Sequence, residues 1–243
     1  NPDEDGETAS LIWYHALAIG YSPLYLTENA DGIRQDFPRI PLPNSQALLL
    51  NSAQLGQKVA KLLDTENPSL VNKSLTNLKQ IAVISHVNNQ QLNPDAGDFS
   101  INVGWGHSGK QGVTMPGKGK LIERAFSDKE LTYFQQNLQL NSEQVNQLLG
   151  NITYYIYLNE IAYWKNIPQR VWDYTIGGYQ VIKKWLSYRE FSLLGRSLKL
   201  EEVREVQDMA RRITAILLLE PELNANYEAI KQATFSWTNS PHT

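Results

Sequence analysis

The sequence predicts an α+β fold: a helical N-terminal part, a central and mostly antiparallel sheet, and a C-terminal helical cap. Three observations carry that expectation. Apolar residues recur at three- and four-residue spacing in the segments 11–19, 48–63 and 203–217, the spacing of one helix face. From about residue 77 to 164 the pattern changes to short β-branched and aromatic runs bounded by turn residues. The 243 residues, 42% hydrophobic and 19% charged, are enough to bury a real core. We read 1–243 as one domain, with an N-terminal scaffold (1–76), a sheet carrying a glycine-rich loop (77–165) and a helical cap (166–243). The opening NPDEDGETAS has neither an initiator methionine nor a signal peptide, so a fragment of a longer protein is expected.

Taken in order, Asp3, Glu4, Asp5 and Glu7 precede the apolar run LIWYHALAIG. Thr8 or Ser10 is expected to cap a helix there, with the acids near its positive end. Its inner face should be Leu11, Tyr14, His15, Ala18 and Ile19, and Pro23 should end it. Pro38, Pro41 and Pro43 cannot sit inside a helix or a central strand, so FPRIPLP should be an extended segment clamped to the core. Ser45 should open a helix running to Asp64, with Leu48, Leu49, Ser52, Leu55, Val59, Leu62 and Leu63 on one side.

Four segments then read as strands: KQIAVISH, DFSINVGW, GKLIERAF and ITYYIYLNEIAYW. Between the second and third lies GWGHSGKQGVTMPGKGK, residues 104–120, whose glycines predict a flexible loop with no strand interior. Helices are expected over 128–138 and 142–149, the second with a capping box begun by Ser142, and over 200–220 and 222–233 with Pro221 between them.

The densest aromatic stretch is IPQRVWDYTIGGYQVIKKWLSYRE, residues 167–190. Pro168 suits the start of a helical turn, and Gly177-Gly178 marks a tight turn. Tyr179, Ile182, Trp185 and Leu186 then fall on one face of a following helix. Clustered aromatics of this kind serve packing first, which makes the stretch a structural keystone with a basic outer surface.

Catalytic chemistry is hard to find. GWGHSG satisfies G-x-G-x-x-G, but a dinucleotide fingerprint must open a helix at once, and GKQGVTMPGKG cannot be one. Two matches to G-x4-G-K, ending at Lys110 and Lys118, are followed by Gln111 and Gly119 where a magnesium-holding hydroxyl belongs. His15, His86, His107 and His242 show no ligand spacing, and the absence of cysteine excludes thiolate sites and disulfides. Glu160 and Asp173 are read as structural carboxylates. No catalytic, cofactor-binding or metal residue is therefore assigned. The missing cysteines fit a reducing, cytoplasmic setting, and no apolar run reaches the roughly 18 residues of a membrane span.

Residues 157–190, YLNEIAYWKNIPQRVWDYTIGGYQVIKKWLSYRE, resemble the C-terminal signature of single-polypeptide (type ISP) restriction–modification enzymes and related adenine-specific DNA methyltransferases. The order helix, DFPRIPLP, then a helix containing LGQKVAKLLD is similar to the same family. The resemblance spans roughly 11–64 and 154–227. It implies a target-recognition domain of a larger enzyme that transfers a methyl group from S-adenosylmethionine to adenine N6, sometimes coupled to ATP-driven translocation and cleavage. Its implied partners are double-stranded DNA and the parent enzyme's methyltransferase domain, which would hold the S-adenosylmethionine. The family's catalytic tetrapeptide is missing: Asn67-Pro68-Ser69-Leu70 and Asn93-Pro94-Asp95-Ala96 lack the aromatic fourth residue that stacks on a flipped adenine. The expected role is reading DNA, not methylating it.

With 22 basic and 25 acidic side chains the net charge is −3, so DNA affinity would have to come from a local patch. One candidate is the segment 99–122, which has no Asp or Glu but contains Lys110, Lys118 and Lys120, with Arg124 just beyond. In the light of the resemblance, those cations would contact phosphates, and Trp105, His107, Ser108, Gln111 and Thr114 would face base edges or a thymine methyl. Lys165, Arg170, Lys183, Lys184 and Arg189 form a second patch, of which Lys183 and Lys184 are the DNA-binding candidates. The rival expectation is a non-catalytic docking module that joins the methyltransferase core to partner domains through exposed aromatics.

Overall fold

In the computed structural model, residues 2–67 and 75–236 are described. His242 and the Pro68-Ser69-Leu70 part of the first tetrapeptide lie outside them. The chain separates into two units, Asn1–Val71 with Leu218–Thr243, and Asn72–Leu217.

The first unit is helical. It contains α1 (Pro2–Gly20), α2 (Pro23–Glu28), α3 (Ala30–Gln35) and α4 (Gln46–Leu63). Helix α1 starts at Pro2, so the cap expected at Thr8 or Ser10 is not used and the acidic opening is itself helical. Ser45 does cap α4, its Oγ accepting the Leu48 N–H. Helices α1 and α4 approach closely because Gly56 carries no side chain: a Cβ there would lie 1.8 Å from the Tyr14 carbonyl oxygen. Ala18, Leu55, Val59 and Leu223 form one core cluster; Ile19, Tyr25, Tyr227 and Ile230 form another.

The proline segment is extended, as its composition requires, and is held at several points. Tyr25 donates its hydroxyl to the Arg39 carbonyl (3.2 Å), and Phe235 donates its N–H to the Leu42 carbonyl (2.7 Å). His15 makes the most specific attachment. Its Nε2 donates to the Pro41 carbonyl (2.9 Å), which can only accept, so Nδ1 of the neutral ring accepts from Ser52 Oγ (2.8 Å). Ser52 Oγ in turn accepts from Asn226 Nδ2 (3.0 Å). Burial holds the His15 pKa below its ordinary value, against the smaller opposing effect of the Pro41 hydrogen bond.

A group whose folded pKa lies below its unfolded value of about 6.5 contributes stability above that pH and loses it as the pH falls toward the folded value. The unit is therefore expected to weaken below about pH 6.5, and His15→Gln should flatten that part of the stability–pH curve. Urea midpoints measured from pH 7.5 to 5 check this.

The second unit runs β1 (Val83–His86), β2 (Gly106–Ser108), β3 (Thr114–Pro116), β4 (Leu121–Ala125), α5 (Asp128–Leu138), α6 (Ser142–Leu149), β5 (Ile152–Tyr157), β6 (Ala162–Pro168), α7 (Gln169–Trp172), β7 (Thr175–Ile176), β8 (Tyr179–Gln180), α8 (Val181–Ser187), α9 (Phe191–Leu194) and the first part of α10 (Leu200–Gln232). Strands β1, β6, β5 and β4 form an antiparallel sheet in that order, which with the helices makes the fold α+β. Helices α5 and α6 have the expected bounds. Their capping boxes are Ser127 with Glu130 and Asn141 with Gln144, so the second begins one residue earlier than expected.

Four expectations are corrected. ITYYIYLNEIAYW is a hairpin, not one strand: Asn159 Oδ1 accepts the N–H groups of Ile161 and Ala162 and turns the chain between β5 and β6. DFSINVGW forms no strand; Phe99, Ile101 and Trp105 are buried, so its apolar pattern reflects packing without a ladder. Strand β8 takes Tyr179 out of the helix that follows and leaves it exposed, while Ile182, Trp185 and Leu186 face the core as expected. Finally, α10 continues through Pro221. Leu217 and Leu223, on either side of it, are both buried.

Candidate nucleic-acid interface

The glycine-rich stretch is a built hairpin. Strands β2 and β3 pair with Gly106 opposite Pro116, His107 opposite Met115 and Ser108 opposite Thr114. At the tip the Gly109 N–H donates to the Val113 carbonyl (2.7 Å), and the turn uses left-handed backbone at Gln111 (φ 65°) and Gly112 (φ 76°).

The base of the hairpin is fixed more strongly. Glu190 is buried, and its carboxylate accepts the backbone N–H of Gly104 (3.0 Å) and of Trp105 (2.8 Å). On the returning strand Gly117 donates to the Trp105 carbonyl (2.7 Å) and Gly119 to that of Gly104 (3.0 Å). The glycines here serve close approach, not flexibility. A Cβ on Gly106 would lie 1.9 Å from the Ser187 carbonyl oxygen, and one on Gly119 would lie 2.0 Å from the Trp105 ring. The expectation of a loose loop without strand interior is thus overturned by packing.

The keystone stretch supplies the neighbouring surface. Helix α7 is the single turn opened after Pro168, and its Trp172 meets Trp105 edge-on with ring centroids 5.4 Å apart. Gly177 (φ 58°) and Gly178 (φ 82°) turn β7 into β8, a geometry that glycine adopts without a steric cost. Helix α8 follows and packs against both β2 and β3. Pro116 of the first hairpin, Gly178, Tyr179 and Gln180 of the second, and Lys183 and Lys184 of α8 line one open groove. Pro116 and the lysines of the second patch, more than sixty residues apart in sequence, meet there.

The residues proposed for DNA contact divide cleanly. His107, Ser108, Lys110, Gln111 and Lys118 are exposed on or beside the first hairpin. Lys110, Lys118 and Lys183 form no ion pair among the described residues, and Lys184 lies over the rings of Tyr179 and Tyr188, 4.5 and 4.8 Å from their centroids. Three others have their polar groups engaged within the fold. Trp105 is 0% exposed and donates its indole N–H to the Tyr157 carbonyl (2.7 Å), so its side chain belongs to the core. Arg124 lies on β4, where it forms a two-point pair with Glu130 (2.7 and 2.5 Å), donates to Asn166 Oδ1 and covers the Tyr155 ring. Lys120 is paired with Glu160 (2.7 Å) and lies over Tyr157.

The second basic patch is thinned in the same way. Arg170 donates to the carbonyls of Gln147 and Leu148 at the end of α6, and Arg189 stacks on Trp185 near Glu202 and Glu205. Tyr179, Tyr188, Pro116 and Glu190 are the contributors that sequence reasoning missed. The available signal was the run of exposed-type aromatics around Lys183 and Lys184. Asp173 is partly covered, which raises its pKa, and it accepts from Gln180 Nε2 (3.3 Å), in keeping with a structural carboxylate.

An α+β scaffold that presents an acid-free hairpin beside a lysine-bearing helix flanked by tyrosines suits a recognition module. The chain matches the type ISP C-terminal specificity domain over residues 4–217 and belongs to that family, which gives it a target-recognition role in a larger restriction–modification enzyme. The match runs through the middle of the chain, which the resemblance of its two flanks left aside. Searches of curated proteins and of solved structures each returned no match. Among the described residues no helix is long and apolar enough to cross a membrane, and no group of three or more metal-ligating side chains could hold an ion.

Proposed function

We propose that this domain binds duplex DNA sequence-specifically for an adenine-specific (N6) methyltransferase or restriction–modification enzyme. The β2–β3 hairpin enters the major groove, and Lys110, Lys118, Lys183 and Lys184 hold the flanking phosphates. The observation that supports this is the groove in which Pro116 of the two-stranded ribbon lies beside Lys183 and Lys184. A ribbon of this kind fits the major groove, where every base pair presents a distinct pattern of donors and acceptors. His107, Ser108 and Gln111 supply hydrogen-bonding groups at its exposed end. S-adenosylmethionine and the methyl-transfer chemistry belong to the parent enzyme's methyltransferase domain, and the setting is cytoplasmic.

The test is selection of randomised duplexes on the chain, followed by sequencing of the retained DNA. One enriched short motif is expected, with enrichment abolished when Lys110, Lys118, Lys183 and Lys184 are all changed to alanine. Retention without enrichment would sink the reading role.

The second reading, a docking module for the methyltransferase domain, is favoured by Trp13 and Ile12, both exposed on α1. If duplexes are not retained at all and the methyltransferase domain binds through Trp13, that reading replaces the first.

A further inference from the structure

The geometry points to Val113 and Met115 as the readers of a thymine methyl group in the target duplex, an inference that rests on the DNA-binding role proposed above. Both side chains are unusually exposed for their type, 58% and 46%. They sit two residues apart on extended backbone and so project from the same face of β3, whereas Thr114 between them points the other way and is half-buried. Thr114, the residue that the sequence offers for such a contact, projects from the opposite face.

The position is held, not loose. The Gly109–Val113 hydrogen bond closes the tip, and Met115 crosses toward Gly109, where a Cβ would stand 2.7 Å from the Met115 Cγ. Gly109 thus makes room for the methionine to lie across the ribbon. The result is a small apolar rib at the end of the hairpin, between Lys110 and Lys118, in a segment (99–122) with no acidic residue. An apolar rib that faces another protein has no need of that cationic, acid-free surround; one brought between phosphate backbones does. Inside the major groove the one apolar feature of a base edge is the 5-methyl of thymine.

The experiment takes the duplex enriched in the selection and replaces each thymine in turn by uracil, which deletes only that methyl. One replacement is expected to weaken binding about fourfold, the worth of one buried methyl-sized group. Met115→Ala or Val113→Ala should weaken binding to the thymine duplex by a similar factor and abolish the difference between thymine and uracil. Both side chains are exposed, so the variants keep the fold, which circular dichroism checks.

An enriched motif that is indifferent to uracil at every position, or that contains no thymine on either strand, overturns the inference and leaves the DNA-reading role intact. Equal weakening of thymine and uracil duplexes by Met115→Ala also overturns it, in favour of an apolar wedge between base steps. Failure to enrich any motif removes the DNA-reading role, and this inference with it.

Discussion

Trp105→Ala is expected to cost the second unit about 3–5 kcal/mol, the usual range for emptying a large aromatic site in a core. The ring is 0% exposed, stands edge-on to Trp172, and rests on Gly119. Its loss leaves a cavity and deprives the Tyr157 carbonyl of its 2.7 Å partner. Trp105→Phe keeps most of the volume and loses the N–H, so about 1–3 kcal/mol is expected for that change. The consequence reaches the hairpin, because the backbone of Gly104 and Trp105 pairs with Gly117 and Gly119 and is gripped by Glu190. If the domain binds DNA as proposed, affinity should therefore fall in the alanine variant although the side chain is buried. Urea denaturation and duplex binding on the same samples test both halves, and wild-type stability in Trp105→Ala would contradict the packing described here.

Arg124→Ala is expected to destabilise the same unit by about 3 kcal/mol, near the lower end for a buried pair broken from one side, since Arg124 keeps some solvent contact. The substitution strands Glu130, which is buried, and leaves Asn166 Oδ1 without its donor. Burial alone would raise the Glu130 pKa; hydrogen bonds from Arg124 and from the Ser127 backbone outweigh it and hold the carboxyl below its ordinary value. A depressed carboxylate adds stability above its unfolded pKa of about 4.3 and loses it as the pH falls through the folded value. Arg124→Ala should accordingly flatten the acid limb of the stability curve below about pH 4.3. At neutral pH, in a folded sample, its DNA affinity should stay close to wild type. A large loss of affinity with unchanged stability would restore Arg124 to the DNA-contacting set.

Much of the fold was legible because local rules and burial agree. Ser45 before an apolar period marks the start of α4, and the spacing in 128–138 and 142–149 marks α5 and α6, whose inner faces are Glu130 with Phe134 and Val145 with Leu148 and Leu149. The failures come where tertiary contacts override local preference. Pro221 carries a helix-ending signal, yet apolar residues on both sides are buried and the helix runs on. DFSINVGW alternates like a strand, yet its ladder partners are replaced by single bonds such as Asn102 N–H to the Leu158 carbonyl (2.9 Å).

The site was half legible for a related reason. Charge is visible in sequence, but pairing is not. Lys110 and Lys118 look no different from Lys120, and only the fold shows that Lys120 is taken by Glu160 and Arg124 by Glu130. The glycines misled in the opposite direction. They suggested a flexible loop, whereas Gly106, Gly117 and Gly119 exist to let backbone and ring come close. Nothing in the linear order indicated that Pro116 and Tyr179 would border the same groove.

In the proposed complex, Lys110, Lys118, Lys183 and Lys184 neutralise phosphates on either side of one reading hairpin. The most direct measurement is the dependence of duplex affinity on salt concentration, for the unaltered chain and for the variant with all four lysines changed to alanine. Each phosphate contact contributes about 0.9 to the slope of log affinity against log salt, so the slope should become shallower by about three to four in the variant. An unchanged slope would mean that these lysines do not meet the DNA backbone, and the interface would have to be sought elsewhere on the domain.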